Sequence, residues 1–221
     1  MVSSSIIETT GLKGYLSLPD TGTGKGLLLI HAWWGLNDFF KKLTDRFASE
    51  GFVTFTPDYY NGNVAKTIDE ANDLSTNLDF EEADMTLSRA FDYLKKHPAI
   101  KGEKIGVLGV SLGTLFTINL ARSSPDDVGA AIVFYGLGDQ NPDNIKVPFQ
   151  GHFSETDEWD ADPEAVKEFE KELLEKSRTY EFHTYPGTTH WFLEEDVLEA
   201  YVQAAADQAF QRTVAFLKVH L

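Results

Sequence analysis

The chain alternates short apolar runs with longer stretches in which apolar residues recur every three or four positions. Short apolar runs bounded by Gly, Pro or Asp are typical of buried strands, and the longer pattern is typical of amphipathic helices. Strands are predicted at Ser5–Thr9, Lys13–Leu18, Gly26–Ile30, Phe52–Thr56, Lys104–Leu108, Val128–Phe134, Val147–Phe153 and Tyr180–Tyr185. Helices are predicted at Asp38–Glu50, Asp79–His97, Leu112–Ser123, Pro163–Lys176 and Leu198–Val219. Such an alternation predicts an α/β fold, a mostly parallel sheet with helices on both faces.

The length and the uniform composition favour a single domain over residues 1–221. A single α/β core commonly reaches about 200–250 residues, and the chain has 221. No internal repeat and no linker rich in Pro, Gly or Ser divides it.

Charge and cysteine content narrow the possible partners. The formal net charge is −16, from 35 acidic and 19 basic residues, so nucleic acid and anionic membranes are not expected partners. The chain has no cysteine, which excludes thiol nucleophiles and thiolate metal sites. The first ten residues lack a signal-peptide pattern and no apolar run is long enough to span a bilayer. We therefore expect a cytoplasmic protein, a monomer or a small homo-oligomer.

A nucleophile motif lies between a predicted strand and a predicted helix. Gly109-Val110-Ser111-Leu112-Gly113 follows the strand KIGVL and precedes the apolar helix LGTLFTINLA. G-x-S-x-G in this context is typical of the α/β-hydrolase fold, where the serine sits on a sharp strand-to-helix turn. The helix N-terminus there favours a developing oxyanion. Ser111 is therefore the candidate nucleophile.

A serine nucleophile needs an imidazole base and a carboxylate that orients the imidazole, in the chain order Ser, Asp or Glu, His. Of the four histidines after Ser111, His190 lies in a turn-rich loop just beyond the last predicted strand. Ligands and catalytic groups gather at that edge of an open α/β sheet. The loop after Val147–Phe153 offers several acids, of which Asp157 is preferred and Glu155 is the alternative.

Five segments together resemble the dienelactone hydrolase family of α/β-hydrolases. They are His31-Ala-Trp-Trp-Gly-Leu-Asn37, Phe55-Thr-Pro-Asp-Tyr-Tyr60, Gly106-Val-Leu-Gly-Val-Ser-Leu-Gly113, Gly151-His-Phe-Ser-Glu-Thr-Asp157 and Tyr185-Pro-Gly-Thr-Thr-His190. The resemblance runs from Gly14 to the last helix. It implies a triad of Ser111, Asp157 and His190, an oxyanion hole formed by the backbone N–H groups of Leu112 and Trp33, and no large cap domain.

The sequence departs from the family pattern at three places. The best-known members carry cysteine at the elbow and glutamate in the loop after the third strand, where this chain has Ser111 and Ala32. They also bind a substrate carboxylate with an arginine shortly after the catalytic histidine, where this chain reads Trp191-Phe-Leu-Glu-Glu-Asp196. We expect Glu194, Glu195 and Asp196 to repel an anionic lactone, so the substrate is predicted to be a neutral ester or lactone.

Aromatic residues cluster at the predicted carboxyl ends of strands. Trp33, Trp34, Tyr60, Tyr135 and Trp191 are candidates to line a substrate pocket, or they pack loops onto the core. His31 is expected to brace the oxyanion loop. The scattered histidines give no metal-ligand spacing, and no cofactor is predicted.

The sequence therefore favours a metal-independent serine hydrolase that cleaves a small-molecule ester or lactone through an acyl-enzyme. The same triad could serve an acyltransferase, a thioesterase or a small peptidase, because acceptor choice depends on pocket shape. A non-catalytic binding protein on a hydrolase scaffold is the remaining alternative.

Overall fold

Eight strands form one sheet in the computed structural model, which describes residues 1–176 and 179–221. In chain order the strands are β1 (Ser3–Thr9), β2 (Leu12–Leu18), β3 (Gly24–Ile30), β4 (Phe52–Pro57), β5 (Ile100–Val110), β6 (Val128–Phe134), β7 (Phe149–Ser154) and β8 (Tyr180–Tyr185). Across the sheet they follow the order β1-β2-β4-β3-β5-β6-β7-β8. Strand β2 runs antiparallel to both of its neighbours, and the other adjacent pairs are parallel. The predicted α/β class and its mostly parallel sheet are confirmed.

Helices cover both faces of this sheet. The described residues form α1 (Asp38–Ser49), α2 (Ile68–Thr76), α3 (Phe80–Lys95), α4 (Gly113–Ser123), α5 (Pro163–Glu175) and α6 (Gln203–His220). No large cap domain interrupts this order in the described part of the chain. None of the helices described is both long and apolar enough to cross a membrane.

The two-residue period of a strand divides the core into two layers. In β3, Leu27 and Leu29 pack with α1 and α6, whereas Leu28 and Ile30 pack with α3 and α4. All four side chains are fully buried. Each such burial stabilises the fold by about 1.5–3 kcal/mol relative to an exposed side chain. This two-sided burial explains why the central strands read as continuous apolar runs.

Helix α2 was not predicted. Its only buried residue is Ala71, so the segment lacks the apolar periodicity that marks a packed helix. Its start nevertheless has a sequence signal, since Thr67 and Glu70 have the T-x-x-E spacing of a capping box. The Thr67 hydroxyl accepts a hydrogen bond from the Glu70 amide, and the Glu70 carboxylate accepts one from the Lys66 amide.

The last helix begins later than the predicted Leu198. Turns occupy the chain from Val197, whose carbonyl accepts hydrogen bonds from the amides of Ala200 and Tyr201. The Val202 amide then donates to the Phe192 carbonyl in an extended conformation. That contact across the loop delays the helix until Gln203.

The tight turn from β5 into α4 is possible only because glycines stand on both sides of it, Gly109 near the end of β5 and Gly113 at the start of α4. A Cβ on Gly113 would lie 2.5 Å from the Ile30 carbonyl oxygen and 2.8 Å from that of His31. A Cβ on Gly109 would lie 2.3 Å from the Gly113 carbonyl oxygen. Between them Ser111 has φ +48°, a conformation that L side chains rarely adopt. The first turn of α4 therefore packs directly against the end of β3.

A carboxyl group is buried beneath the same edge of the sheet. Glu194 is fully buried, and its Oε1 accepts a hydrogen bond of 2.7 Å from the Tyr135 hydroxyl. Its Oε2 has no partner among the described residues. Burial raises the pKa of Glu194 to about 8, despite the opposing effect of the Tyr135 hydrogen bond. The carboxyl group is therefore predominantly protonated near neutral pH.

We expect Gly113→Ala to cost more stability than Gly22→Ala. The new methyl group at position 113 meets two backbone carbonyls that cannot rotate away, which predicts a loss of about 3 kcal/mol or more. A methyl group at position 22 meets nothing within 4 Å. The loss of stability there comes only from placing an alanine at φ +72°, and it should be about 1–2 kcal/mol. Denaturant unfolding of both variants measures the difference. Equal losses would show that α4 moves away from β3 without penalty.

The pH dependence of stability is expected to change in Glu194→Gln. Because the pKa of Glu194 is higher in the folded chain, folding binds a proton, and the stability contributed by this group falls as pH rises from about 4.5 to about 8. The glutamine amide does not titrate. The free energy of unfolding of the variant should therefore rise by at least about 1 kcal/mol relative to that of the wild type between pH 5 and pH 9. Glu195→Gln, at an exposed neighbouring position, is the control. A parallel pH profile in all three proteins would contradict the buried, protonated state.

Candidate active site

Three polar side chains from the carboxyl ends of three parallel strands meet at one edge of the sheet. Ser111 follows β5, Asp157 follows β7 and His190 follows β8. Ser111 Oγ lies 2.9 Å from His190 Nε2, and His190 Nδ1 lies 2.8 Å from Asp157 Oδ2. All three residues are at least nine-tenths buried. The sequence hypothesis placed these residues together, and the structure brings them into one chain of hydrogen bonds.

The loop after β7 holds Asp157 as an ionised hydrogen-bond acceptor. Its Oδ1 accepts from the amides of Trp159 and Asp160 at 2.9 and 3.1 Å, and its Oδ2 accepts from the Ser154 hydroxyl at 3.2 Å. Burial acts to raise the pKa of Asp157, but the hydrogen bond and charge of His190 and the two amides outweigh it and lower the pKa. The alternative acid, Glu155, instead accepts from the Gly187 amide at 2.8 Å and is exposed. Of these two acids, Asp157 is therefore the one whose carboxylate contacts the His190 imidazole.

The two amides expected to form an oxyanion hole belong to residues that share a cavity with Ser111. Leu112 is the N-cap of α4, and Trp33 lies in the turn after β3. His31 braces that turn as expected, with Nδ1 2.7 Å from the Ala32 carbonyl oxygen and its ring stacked on Tyr59 at 3.9 Å. Burial lowers the pKa of His31 to about 3. His31 is therefore neutral and structural.

A cavity of about 260 Å³ opens beside Ser111. It is lined by Trp33, Ser75, Phe80, Ser111, Leu112, Thr114, Leu115, Gly138, Trp159, Asp160, His190 and Trp191. Its walls are thus mostly apolar, and no lysine or arginine is among these lining residues. Within residues 1–176 and 179–221, no group of three or more His, Asp or Glu side chains is arranged to hold a metal ion.

Three of the proposed pocket aromatics do not line this cavity. Trp34 packs against Trp33 and Trp191 behind the cavity wall. Tyr60 is buried beside Tyr59 and His31. Tyr135 is fully buried, and its hydroxyl donates to Glu194 beneath the site. These residues support the cavity from outside, and of the five candidate aromatics only Trp33 and Trp191 lie in its wall.

The acidic segment after His190 does not face the cavity either. Glu194 points inward to Tyr135, Glu195 forms an ion pair of 2.7 Å with Lys42, and the Asn37 side-chain amide donates to Asp196 at 3.0 Å. The prediction that this segment repels an anionic substrate directly is therefore wrong. Each of its three carboxyl groups contacts another part of the protein.

The acid that does line the cavity is Asp160, which the sequence analysis did not single out among the acids of this loop. Burial raises the pKa of Asp160 to about 6, with the neighbouring Asp157 adding to the rise and His190 opposing it. Trp159 was missed as well. They lie two and three residues after Asp157 and donate to it through their backbone amides, so their closeness in sequence to the candidate triad acid was the available signal.

Strained backbone conformations occur at three residues of the same cluster. Ser111, Tyr135 and Trp191 have φ values of +48°, +37° and +67°, and each follows directly on a strand end or on His190. Non-glycine residues in this region are uncommon, and they cluster at functional sites where surrounding contacts hold them.

Comparison with known proteins agrees with this geometry. The sequence profile of the dienelactone hydrolase family matches residues 12–221. The chain is 34% identical to protein usf of Aquifex pyrophilus, over 97% of this chain and 96% of that protein. It is 25% identical to carboxymethylenebutenolidase of Rhodococcus opacus, over 91% of this chain and 84% of that enzyme.

The fold is also found among solved structures. A dienelactone hydrolase-like promiscuous phosphotriesterase from metagenomic libraries superimposes with a TM-score of 0.85 at 18% identity, covering 99% of this chain and 98% of that one. The expected resemblance is thus confirmed by sequence and by fold. The chain belongs to the dienelactone hydrolase family, and it is a carboxylic ester or lactone hydrolase of the α/β-hydrolase fold.

Proposed function

We propose that the protein hydrolyses small esters or lactones through an acyl-enzyme formed on Ser111. The observation that carries this proposal is the unbroken hydrogen-bonded chain from Ser111 through His190 to Asp157, whose nucleophilic end opens into the cavity. A serine hydroxyl becomes an effective nucleophile only when a base takes its proton as it attacks. His190 is positioned to be that base.

The reaction has two halves that share the same residues. Ser111 Oγ attacks the substrate carbonyl carbon while His190 Nε2 accepts the hydroxyl proton, and the Leu112 and Trp33 amides stabilise the oxyanion. His190 then gives the proton to the leaving alkoxide, which departs as the alcohol. In the second half, His190 takes a proton from water, the hydroxide oxygen attacks the acyl carbon, and Ser111 regains its proton. Asp157 keeps Nδ1 of the imidazole protonated throughout.

The cavity favours substrates that are small and that carry no carboxylate. Its volume of about 260 Å³ lies just below the range of about 300–1,000 Å³ that is typical of ligand pockets. The lining residues offer no lysine or arginine to pair with an anion, and Asp160 adds a negative charge when ionised. Repulsion of anionic lactones is therefore still expected, with Asp160 as its source.

Covalent labelling tests the nucleophile. A fluorophosphonate should add one label per wild-type chain, and Ser111→Ala should abolish the label and lower turnover of a p-nitrophenyl ester by several orders of magnitude. Intact-mass spectrometry measures the label. Ser75→Ala, which removes the other serine at the cavity, should still be labelled. Stoichiometric labelling of Ser111→Ala would assign the nucleophile to another residue.

Two isosteric substitutions test the carboxylate. Asp157→Asn should leave the fold intact and lower kcat by roughly 10²–10⁴, because the amide favours the wrong imidazole tautomer. Glu155→Gln should change kcat by less than about threefold, since Glu155 contacts a backbone amide and not His190. Steady-state kinetics with the same ester compares them. Equal losses, or a larger loss in Glu155→Gln, would remove Asp157 from the mechanism.

A further inference from the structure

Asp160 presents an unpaired carboxyl group to the cavity. Its side chain makes no hydrogen bond or ion pair among the described residues, although its own amide is held by Asp157. One of its oxygens, Oδ2, lies 2.6 Å from the point where a Cβ on Gly136 would stand, and Thr114 Oγ1 lies 2.4 Å from the same point. The absence of a side chain at Gly136 thus leaves room for both groups. The Asp160 carboxyl group also lies close enough to His190 that the charge of a protonated imidazole lowers the pKa of Asp160.

Thr114 is a second polar group without a partner at this place. The residue is fully buried and lines the cavity, and its hydroxyl forms no hydrogen bond within the described part of the chain. Buried polar groups are usually hydrogen-bonded, and the exceptions call for an explanation. Two adjacent oxygens with free lone pairs are suited to a group that is positively charged or that donates hydrogen bonds.

Three tryptophans form part of the cavity wall. The ring centroid of Trp159 lies 5.4 Å from that of Trp33 and 5.0 Å from that of Trp191, and all three rings line the cavity. Trp159 is half exposed, with 51% of its surface accessible. An exposed tryptophan on a soluble protein that also lines a cavity is more suited to ligand contact than to packing. Indole rings are the aromatic side chains that attract cations most strongly.

The charge of the whole molecule acts in the same direction. The net charge is −16, and none of the cavity-lining residues is a lysine or an arginine. A negative surface raises the local concentration of cations and lowers that of anions. No lysine or arginine in the cavity wall therefore neutralises the Asp160 carboxylate.

We propose that the cavity binds the alkylammonium group of a positively charged ester, held by the Asp160 carboxylate and the rings of Trp33, Trp159 and Trp191. The inference rests on the proposed function, because it assigns a substrate class to the same cavity. Carboxylates combined with aromatic rings bind quaternary ammonium ions through charge and cation–π attraction. The bound cation would lie beside Ser111, so the ester bond of a short choline-type substrate would reach the nucleophile.

A binding experiment tests the inference without any need for turnover. Choline and its uncharged analogue 3,3-dimethylbutan-1-ol differ only in replacing nitrogen by carbon, so their shapes match. The chain has 4 tryptophans, namely Trp33, Trp34, Trp159 and Trp191, and all of them lie in or directly behind the cavity wall. Tryptophan fluorescence therefore responds to a ligand bound in this cavity.

We expect choline to bind about tenfold more tightly than the uncharged alcohol at pH 7.5 and constant ionic strength, a difference typical of one cation recognised by a carboxylate and indoles. Asp160→Asn should reduce this ratio to about twofold or less. Glu158→Gln, an isosteric loss of an exposed acid in the same loop, should leave the ratio unchanged. Trp159→Leu should weaken choline more than the alcohol, which tests the indole contribution through a second position.

Three results would overturn the inference. They are equal or tighter binding of the uncharged alcohol, an unchanged ratio in Asp160→Asn, and no saturable fluorescence change with choline. Kinetics with acetylcholine and 3,3-dimethylbutyl acetate, the oxygen esters of the two alcohols, separates this inference from the proposed function. Hydrolysis of both esters at equal kcat/KM, together with equal binding of the two alcohols, refutes only the cation site. Selective choline binding without hydrolysis of either ester refutes only the proposed function.

Discussion

The close approach of α4 to the end of β3 is the constraint on which the site depends. Gly113 lies so near the Ile30 and His31 carbonyls that no larger residue fits. That contact brings the Leu112 amide at the helix N-terminus and the Trp33 turn to one cavity, and it forces Ser111 into its strained conformation. In that conformation the Ser111 hydroxyl oxygen lies 2.9 Å from His190 Nε2. The position of the proposed nucleophile is thus a consequence of packing between a helix and a strand.

Burial gives the carboxyl groups at this edge different properties. Asp157 is ionised because His190 and two backbone amides compensate for its burial. Asp160, three residues later, lacks such partners and has a raised pKa. Glu194 is fully enclosed with a tyrosine hydroxyl, and its pKa is raised further. The three acids therefore differ in pKa according to how completely each is buried and whether donors and charges offset that burial.

Much of the fold and the candidate triad could be predicted from the sequence, because both depend on local patterns. Leu27–Ile30 reads as a buried strand, and the glycines around Ser111 mark an elbow whose chemistry fixes the partners to look for. Loop side chains were harder to place. Glu194 follows His190 by four residues and was expected to face the substrate, yet the positive φ of Trp191 precedes a turn that carries it into the core. Nothing in the local sequence distinguishes that direction from the opposite one.

The central claim of this account is that Ser111 carries the acyl group between the two halves of the reaction. Rapid acid quenching of the enzyme with p-nitrophenyl trimethylacetate, followed by peptide mass spectrometry, tests the claim most directly. The account predicts one trimethylacetyl group per chain, on the peptide that contains Ser111, formed at the same rate as the first equivalent of p-nitrophenol. Release of that first equivalent without an acyl group on the protein, or with the acyl group on another residue, would contradict it.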